Sequence, residues 1–265
     1  MVAAIAALNT ALPRNERIKP SDVFLPMDSL TSTYPLMLVM GVLFSNASIA
    51  LNSVAGIDVD FALATAGIKP TMVVASSQTI SNAYAEIKKT NFGYAEKREQ
   101  WFNDRTLKAG RMPKANLFIQ DYGPLRHALG STAKLRLLYV SERAGASQSP
   151  PLSSKILSDM RIYTGARVVY ALTAAKVAGA VAQTNPFDYR VDEDTDKCNH
   201  FGPPLSSVEV KLVDTPSHKT TDEDNPQGHV WRSSFVVLVL MPLANLSFRL
   251  LYVDRPSLVA RQTLV

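Results

Sequence analysis

The densest group of potential metal ligands in the sequence is the acidic run 192–196, which Cys198 and His200 follow. Its carboxylates at alternate positions resemble the start of a calcium loop. However, Lys197 takes the place of the loop glycine, and Pro203 that of the closing glutamate. Cys198 and His200 supply only one pair of zinc-type ligands, whereas a protein zinc site needs at least three. We therefore predict a solvated loop here and no metal site.

Motifs for nucleophilic or phosphate chemistry are equally sparse. The spacing of Ser131 and Lys134 matches the acyl-enzyme motif of penicillin-binding proteins, but the companion motifs are missing from the sequence. No phosphate loop G-x-x-x-x-G-K-[ST], dinucleotide-binding G-x-G-x-x-G, nucleophile elbow G-x-S-x-G or zinc-binding H-E-x-x-H occurs. The usual local signatures of nucleotide triphosphatases, dehydrogenases, hydrolases and zinc proteases are therefore lacking.

The amino-acid composition limits the class of protein to which this chain can belong. The chain has 265 residues, of which 46% are hydrophobic and 19% charged, enough apolar material for a substantial core. Its net charge is +5 without any run of four basic residues, which argues against a dedicated nucleic-acid binder. Cys198 is the one cysteine, so an intramolecular disulfide is impossible. We expect an intracellular protein, either cytoplasmic or peripheral to an organelle membrane.

Three apolar segments bear on membrane association. Residues 1–12 lack the basic start of a signal peptide and predict a short helix that Pro13 ends. Segments 34–44 and 235–246 are far shorter than the roughly 20 residues of a membrane-spanning helix. We predict that both are core strands or helices, with contact at a membrane surface as the open alternative.

Strand-like and helix-like segments alternate along the first two thirds of the chain. Residues 58–67 predict a short helix, 71–75 a buried strand and 77–89 a helix with a serine cap. The same order returns further on, with strands at 135–140 and 166–172 around a helix at 152–162. Strands joined by helical crossovers imply a mostly parallel sheet covered by helices.

Two further segments have a different pattern. Residues 88–114 are charged and aromatic, and the spacing of Tyr94, Trp101 and Phe102 predicts an amphipathic helix on the surface. Residues 208–213 alternate apolar and polar side chains, which predicts a half-exposed strand of a separate, antiparallel sheet.

Seven segments, taken in order, together resemble the central part of adenylate-forming (AMP-binding) enzymes, and long-chain acyl-CoA synthetases in particular. The resemblance covers positions 1 to about 233. The segments are Lys19–Pro26, Gly67–Ala75, Leu135–Ser141, Pro151–Ser153, Gly165–Thr173, Phe201–Val213 and Gln227–Arg232.

The resemblance implies an incomplete adenylate-forming α/β fold, with a layered, mostly parallel sheet, flanking helices and a smaller, partly antiparallel sheet. Residues 1–205 would be a partial AMP-binding core subdomain and 206–233 strands of the smaller sheet, leaving 234–265 as an unassigned tail. Enzymes of this family use ATP and magnesium to convert a carboxylate, usually a fatty acid, to an acyl-adenylate, and then transfer the acyl group to coenzyme A.

The resemblance also assigns site residues. The strand ending Tyr170-Ala171-Leu172-Thr173 matches the family motif that contacts nucleotide, in which the threonine meets phosphate. Ala174 stands where the family has a magnesium-binding glutamate, and a methyl group cannot bind magnesium. The glycine-rich turn that contacts adenine is altered at 141–150. Tyr170 is alternatively an ordinary core tyrosine.

Three hypotheses about function follow. The first is a truncated or degenerate ligase domain without activity, because neither the family's phosphate loop before residues 2–12 nor its later catalytic lysine is recognisable. The second is a piece of an active long-chain fatty acid–CoA ligase. The third is a non-catalytic module that binds an acyl chain or a protein, suggested by segment 34–44. The expected partners are a nucleotide or an acyl chain and no nucleic acid, with peripheral membrane contact left open.

Overall fold

A larger, mostly parallel sheet organises the chain. The computed structural model describes residues 1–53, 55–56, 58–65, 67–89, 93–113, 135–190, 199–213, 227–232, 246–252 and 258–264. Elements that build the layers around this sheet are α1 (Val2–Ala11), β1 (Val23–Pro26), α2 (Thr33–Phe44), β2 (Ser48–Ile49), α3 (Phe61–Thr65), β3 (Met72–Ser76), α4 (Ser77–Lys89), α5 (Tyr94–Lys108), β4 (Leu137–Arg143), α6 (Ser154–Thr164), β5 (Arg167–Thr173) and β6 (Ala182–Gln183).

The strand order of this sheet is β2-β1-β3-β4-β5-β6. Strands β1 to β5 are parallel, and β6 pairs antiparallel with β5 at the edge. The predicted strands at 71–75, 135–140 and 166–172 are therefore confirmed as the adjacent parallel strands β3, β4 and β5. The α/β class and the mostly parallel sheet are confirmed with them.

Two apolar layers cover the faces of the sheet. On one face, α4 and α6 pack on alternate residues of β3, β4 and β5, for example Val73, Leu138 and Val168. On the other face, α1 and α2 cover the intervening residues, such as Val74 and Tyr139. All five residues are nearly inaccessible to solvent, because parallel strands with helices on both sides are buried on both faces.

Local signals fix where the helices begin and end. In α6 the Ser153 hydroxyl accepts a hydrogen bond from the Ile156 amide, and Gly165 ends the helix in the left-handed conformation at φ 67°. The predicted helix 58–67 is shorter in the structure, Phe61–Thr65, because the Asp60 carboxylate accepts from the amides of Ala62 and Leu63 and starts the helix there.

The segment 34–44 is a helix, as one of the two alternatives predicted. Most of α2 is buried, including Tyr34 and Val42, but its carboxyl end exposes Leu43 (56%) and Phe44 (83%). No helix among the described residues is long and apolar enough to cross a bilayer. The predicted short helix at the start is α1 and ends before Pro13.

Four further strands form a second, antiparallel sheet: β7 (Val210–Val213), β8 (Gln227–Arg232), β9 (Leu246–Tyr252) and β10 (Leu258–Leu264). Their order in the sheet is β7-β8-β10-β9. Strands β7 and β8 confirm the predicted smaller antiparallel sheet.

The last part of the chain, 234–265, is the unassigned tail of the sequence analysis. The predicted core strand or helix at 235–246 lies outside the described residues, apart from Leu246. Strands β9 and β10 had no predicted counterpart, because neither segment alternates apolar and polar residues cleanly. In the structure β10 pairs with both β9 and β8.

Candidate functional site

A cleft of about 320 Å³ opens at the carboxyl edge of the larger sheet. Parallel sheets bind ligands outside the carboxyl ends of their strands, because the connecting loops diverge there. Three segments line the cleft: the start of α2, the turn after β4 and the end of β5. The lining residues are Thr31, Ser32, Thr33, Tyr34, Arg143, Ala144, Gly145, Ala146, Thr173, Ala174 and Ala175.

Arg143 is the one positively charged residue among the described residues that line this cleft. Its Nη2 donates to Asp28 Oδ1 at 2.9 Å and also to the Ser32 hydroxyl. Asp28 is fully buried and accepts further hydrogen bonds from Ser141 Oγ at 2.7 Å and from the Ser29 amide at 2.7 Å. Asp28 therefore holds Arg143 at the cleft, and its carboxylate is fully engaged.

The start of α2 adds polar groups to the same wall. Ser32 precedes the first turn of this 12-residue helix, whose first amides have no partner within the helix. The hydroxyl of Thr33 donates to the Val177 carbonyl at 2.8 Å, which ties the helix start to the loop beyond β5. A helix amino terminus beside a guanidinium group is an environment that favours anions.

The predicted nucleotide-contacting strand is β5, and its residues differ in what they reach. Thr173 ends the strand and lines the cleft, with its hydroxyl donating to the Glu142 carbonyl at 2.9 Å. Ala174 follows it and also lines the cleft. Tyr170, Ala171 and Leu172 are buried and do not line the cleft. The role of the four strand residues in nucleotide binding stays a prediction.

Tyr170 lies in the apolar layer between the sheet and helices α4 and α6. Its ring stacks on Phe201 with the centroids 4.8 Å apart, and its hydroxyl accepts from the Leu152 amide at 3.0 Å. The same hydroxyl donates to the Glu142 carboxyl group. Burial raises the pKa of Glu142 to about 8. The side chain of Tyr170 is thus packed in the core, an arrangement that the alternative interpretation also expects, and its hydroxyl contacts a protonatable carboxyl group.

Magnesium does not fit the residues that line the cleft. The ion takes oxygen ligands and is usually held by one or two carboxylates. Among the described lining residues there is no carboxylate, since Ala174 carries a methyl group. The nearby Asp28 carboxylate already accepts hydrogen bonds from Arg143, Ser141 and the Ser29 amide.

The other sequence candidates fall elsewhere. Ser131, Lys134, the acidic run 192–196 and Cys198 lie outside the described residues. His200 is within them, and its Nε2 lies 3.5 Å from Asp188 Oδ2. No group of three metal-ligating side chains occurs in the described ranges.

Arg143 and Asp28 were missed by the sequence analysis as site residues. A weak signal existed for Arg143, because it lies in the turn 141–150 that departs from the family pattern and follows the strand predicted at 135–140. Asp28 is 115 positions away in the sequence, and no local pattern links the two residues.

Comparison with solved structures gives the architecture a precedent. The chain superimposes on a nonribosomal peptide synthetase with bound α-methyl-L-serine-AMP at a TM-score of 0.55 and 14% identity. It also superimposes on the A domain of carboxylic acid reductase from Segniliparus rugosus, in complex with AMP and a co-purified carboxylic acid, at 0.52 and 13%. Each superposition covers 87% of this chain. The chain has part of the adenylate-forming fold.

The adenylate-forming fold implied by the seven resembling segments is therefore confirmed, although identities this low establish the fold alone. The chain spans 21% of the length of the peptide synthetase chain and 31% of the length of the reductase chain. No model of a protein family and no curated protein matches its sequence.

Proposed function

We propose that this chain belongs to the adenylate-forming family, binds the phosphate of an adenosine nucleotide in the cleft, and does not form acyl-adenylate itself. The observation that carries the proposal is the position of Arg143, which the buried Asp28 carboxylate holds in the cleft at the carboxyl ends of the parallel strands. The volume of the cleft also falls within the range of small-molecule sites, about 300 to 1,000 Å³.

Arg143 has the donors that a phosphate needs. Within the described part of the chain its guanidinium group makes hydrogen bonds only through Nη2, to Asp28 and Ser32, which leaves the donors of Nε and Nη1 for a ligand. The planar guanidinium group binds a phosphate through two parallel hydrogen bonds. The first amides of α2 add donors and the positive end of a helix dipole.

Ala174 supports the second half of the proposal. Attack of a carboxylate on the α-phosphate requires the developing negative charge to be neutralised in place. In the resembling family a glutamate at this position holds magnesium for that purpose. This chain has a methyl group there and the Arg143 guanidinium group in the lining of the same cleft. We infer that it replaces metal-assisted charge neutralisation by metal-independent anion binding.

The test is calorimetric binding of AMP and ATP in EDTA and again in magnesium. We expect binding in EDTA, and we expect Arg143→Gln to weaken it by about tenfold to hundredfold, the worth of a charged hydrogen bond. The matched control is Arg111→Gln, which removes an exposed arginine outside the cleft. Binding that requires magnesium, or an unchanged affinity in the Arg143 variant, would contradict the proposal.

A loss of affinity in Arg143→Gln has a competing explanation, because the variant leaves buried Asp28 without its cation. The double variant Asp28→Asn with Arg143→Gln removes both charges and keeps the core neutral. If the double variant folds with the stability of the original chain and still fails to bind AMP, the loss belongs to Arg143 and not to unfolding.

A second candidate function is that the chain is part of an active long-chain fatty acid–CoA ligase. The observation that favours it is Thr173 at the cleft, at the position of the phosphate-contacting threonine in the resembling motif. Release of pyrophosphate from ATP, dependent on fatty acid and magnesium, would establish this function over metal-independent binding.

A third candidate is a non-catalytic module that binds an acyl chain or a protein. The carboxyl end of α2 favours it, since Met40, Leu43 and Phe44 expose apolar surface. Binding of a fluorescent long-chain fatty acid that Phe44→Ser abolishes would support this candidate. Binding that persists in the variant would count against this surface.

A further inference from the structure

Helix α5 presents an unusual outer face that the proposed function does not use. Its exposed large side chains are Tyr94 (86%), Trp101 (55%) and Phe102 (55%). The Trp101 and Phe102 rings meet edge to face, with centroids 5.0 Å apart. Burying such rings is worth more than burying most other side chains, so three exposed aromatic residues on one helix call for an explanation.

Positive charges share that face. With about 100° of rotation per residue, the three aromatic residues and four cations fall within an arc of about 140°. Glu99 lies outside the arc. Asp104 lies about 20° beyond its edge, with its carboxylate 3.7 Å from Lys108 Nζ. Arg105 lies over the Trp101 ring at 5.6 Å, which keeps a cation beside the aromatic surface. The four cations are Lys97, Arg98, Arg105 and Lys108, each of them exposed.

The opposite face of α5 anchors the helix to the body of the protein. Leu107 is 1% exposed, and Gln100 Nε2 donates to the Tyr163 hydroxyl of α6 at 2.9 Å. Because these contacts fix the rotation of α5 about its axis, the aromatic and cationic arc is held outward.

The charge of the whole chain is concentrated around this helix. Residues 88–114 contain eight basic and three acidic side chains, a net charge of +5. The chain as a whole has 28 basic and 23 acidic residues, also +5, so the remainder is neutral. A mildly basic composition thus conceals one strongly basic segment.

We propose that the outer face of α5 is a docking surface for an anionic lipid bilayer. Aromatic rings of Tyr and Trp favour the headgroup region, and cations beside them attract anionic lipids. The exposed rings distinguish this face from a patch for duplex nucleic acid, which relies on cations that contact phosphates. Single-stranded nucleic acid also stacks on aromatic rings, and the experiment below therefore includes it as a competing ligand. The helix is too short to cross a bilayer and would lie along its surface.

The test is co-sedimentation of the full chain with vesicles of phosphatidylcholine alone and of equimolar phosphatidylcholine and phosphatidylserine. We expect binding only to the anionic vesicles, and we expect added salt to weaken it. The triple variant Lys97→Gln, Arg98→Gln, Arg105→Gln should lower the affinity by at least tenfold, since each cation near the surface contributes roughly fivefold.

A matched control tests whether the loss comes from the position of the cations on α5 or from the lower net charge of the protein. The triple variant Lys19→Gln, Lys69→Gln, Lys176→Gln removes the same charge from exposed positions off α5 and should leave binding within about twofold, since charges beyond about a Debye length from the bilayer are screened. Equal losses in both triple variants would overturn the proposal.

Tryptophan fluorescence tests insertion directly, because Trp101 and Trp231 are the two tryptophans of the chain. In the Trp231→Phe variant, emission from Trp101 should shift to shorter wavelength when anionic vesicles are added. An unchanged spectrum, or tighter binding to a single-stranded oligonucleotide than to the vesicles, would overturn the proposal. Failure of AMP binding would leave this result untouched, since the two surfaces share no residue.

Discussion

At the scale of single residues, position 174 is where the proposed function predicts that a substitution changes the binding of metal and phosphate. Ala174 is 5% exposed and lines the cleft with Arg143. We expect Ala174→Glu to weaken AMP binding in EDTA by tenfold or more, because it adds a carboxylate beside the phosphate. Magnesium should restore part of the affinity, since the new carboxylate is a ligand for it. Calorimetry in the two buffers measures both effects.

The control for this prediction is Ala174→Gln, which adds nearly the same volume without charge. It should lower the affinity equally with and without magnesium, because only steric crowding remains. If the glutamine variant showed the same response to magnesium as the glutamate variant, the carboxylate would not be the cause.

Glu142 is a second residue with a distinct expected behaviour. Its pKa is raised by burial from the ordinary 4.5 to about 8, so the folded protein binds a proton that the unfolded chain releases. Between these pH values the folded state therefore loses stability as pH rises, by up to about 1.4 kcal/mol per pH unit, and the loss levels off above about pH 8.

Glu142→Gln keeps a hydrogen-bonding group of similar shape and cannot ionise. We expect the variant to be more stable than the original chain at pH 8 and nearly equal at pH 5, as measured by urea unfolding at both values. An identical pH dependence in the two proteins would show that Glu142 does not titrate in this range.

At the scale of elements, the turn at Gly202 is constrained by the neighbouring strand. Its φ is +72°, and a Cβ there would lie 2.6 Å from the Gln183 carbonyl oxygen and 2.9 Å from Thr184 Cα. We expect Gly202→Ala to destabilise the fold by about 3 kcal/mol or more, from backbone strain and from a clash with backbone that cannot move cheaply. Urea unfolding measures the change.

Gly110 separates the two causes of that loss. It has the same kind of φ, +75°, but a Cβ there would meet no atom within 4 Å. Gly110→Ala should therefore cost only the strain, about 1 to 2 kcal/mol. A larger loss at Gly110 than at Gly202 would contradict the structural explanation.

At the amino ends of the parallel strands, away from the cleft, an ion cluster joins the segment before β1 to the starts of β4 and β5. Arg136 binds Asp22 through two hydrogen bonds of 2.9 and 2.5 Å, and Arg167 pairs with Glu16. Burial is the largest single influence and raises the pKa of Asp22. Hydrogen bonds from Arg136, the Lys19 amide and Thr71, together with the charge of Arg136, outweigh it in sum and hold that pKa below its ordinary value. The contribution of Asp22 is therefore present above about pH 4 and lost as pH falls further.

We expect Arg136→Met to destabilise the protein by about 3 kcal/mol, because it leaves the Asp22 carboxylate buried without its cation. The exposed pair Lys108 and Asp104, 3.7 Å apart, provides the comparison. Asp104→Asn should change stability by less than about 1 kcal/mol. Similar losses in the two variants, measured by thermal or urea unfolding, would show that the cluster is no stronger than a surface pair.

At the scale of the whole molecule, the fold and the proposed chemistry lead to a direct assay. We expect the purified chain to release no pyrophosphate from ATP and to form no acyl-CoA with magnesium, coenzyme A and a long-chain fatty acid. The reason is electrostatic, since Ala174 cannot hold the metal that neutralises charge in the transition state. Fatty-acid-dependent pyrophosphate release above background would overturn the proposal of a non-catalytic domain.

Much of the architecture could be predicted from the sequence. Short apolar runs bounded by proline, glycine and serine predicted β3, β4 and β5, because a buried parallel strand needs several consecutive apolar residues. The segments between those runs predicted the connecting helices. The motif ending at Thr173 pointed to the strand end that lines the cleft. Each of these signals lies within a short segment of the sequence, so it can be recognised without the tertiary structure.

The meeting of Arg143 with Asp28, of Arg136 with Asp22, and of Thr33 with Val177 was decided only by the tertiary structure. Each pair is separated by more than 100 positions. The first two pairs meet because the strand order places β1 and β4 on either side of β3, and the third joins the start of α2 to the segment after β5. Strands β9 and β10 were missed for a different reason: they follow each other in the sequence and pair with each other, but neither alternates apolar and polar residues cleanly. Local periodicity specifies which element a segment forms, whereas the chemistry of the cleft depends on which elements the sheet makes neighbours.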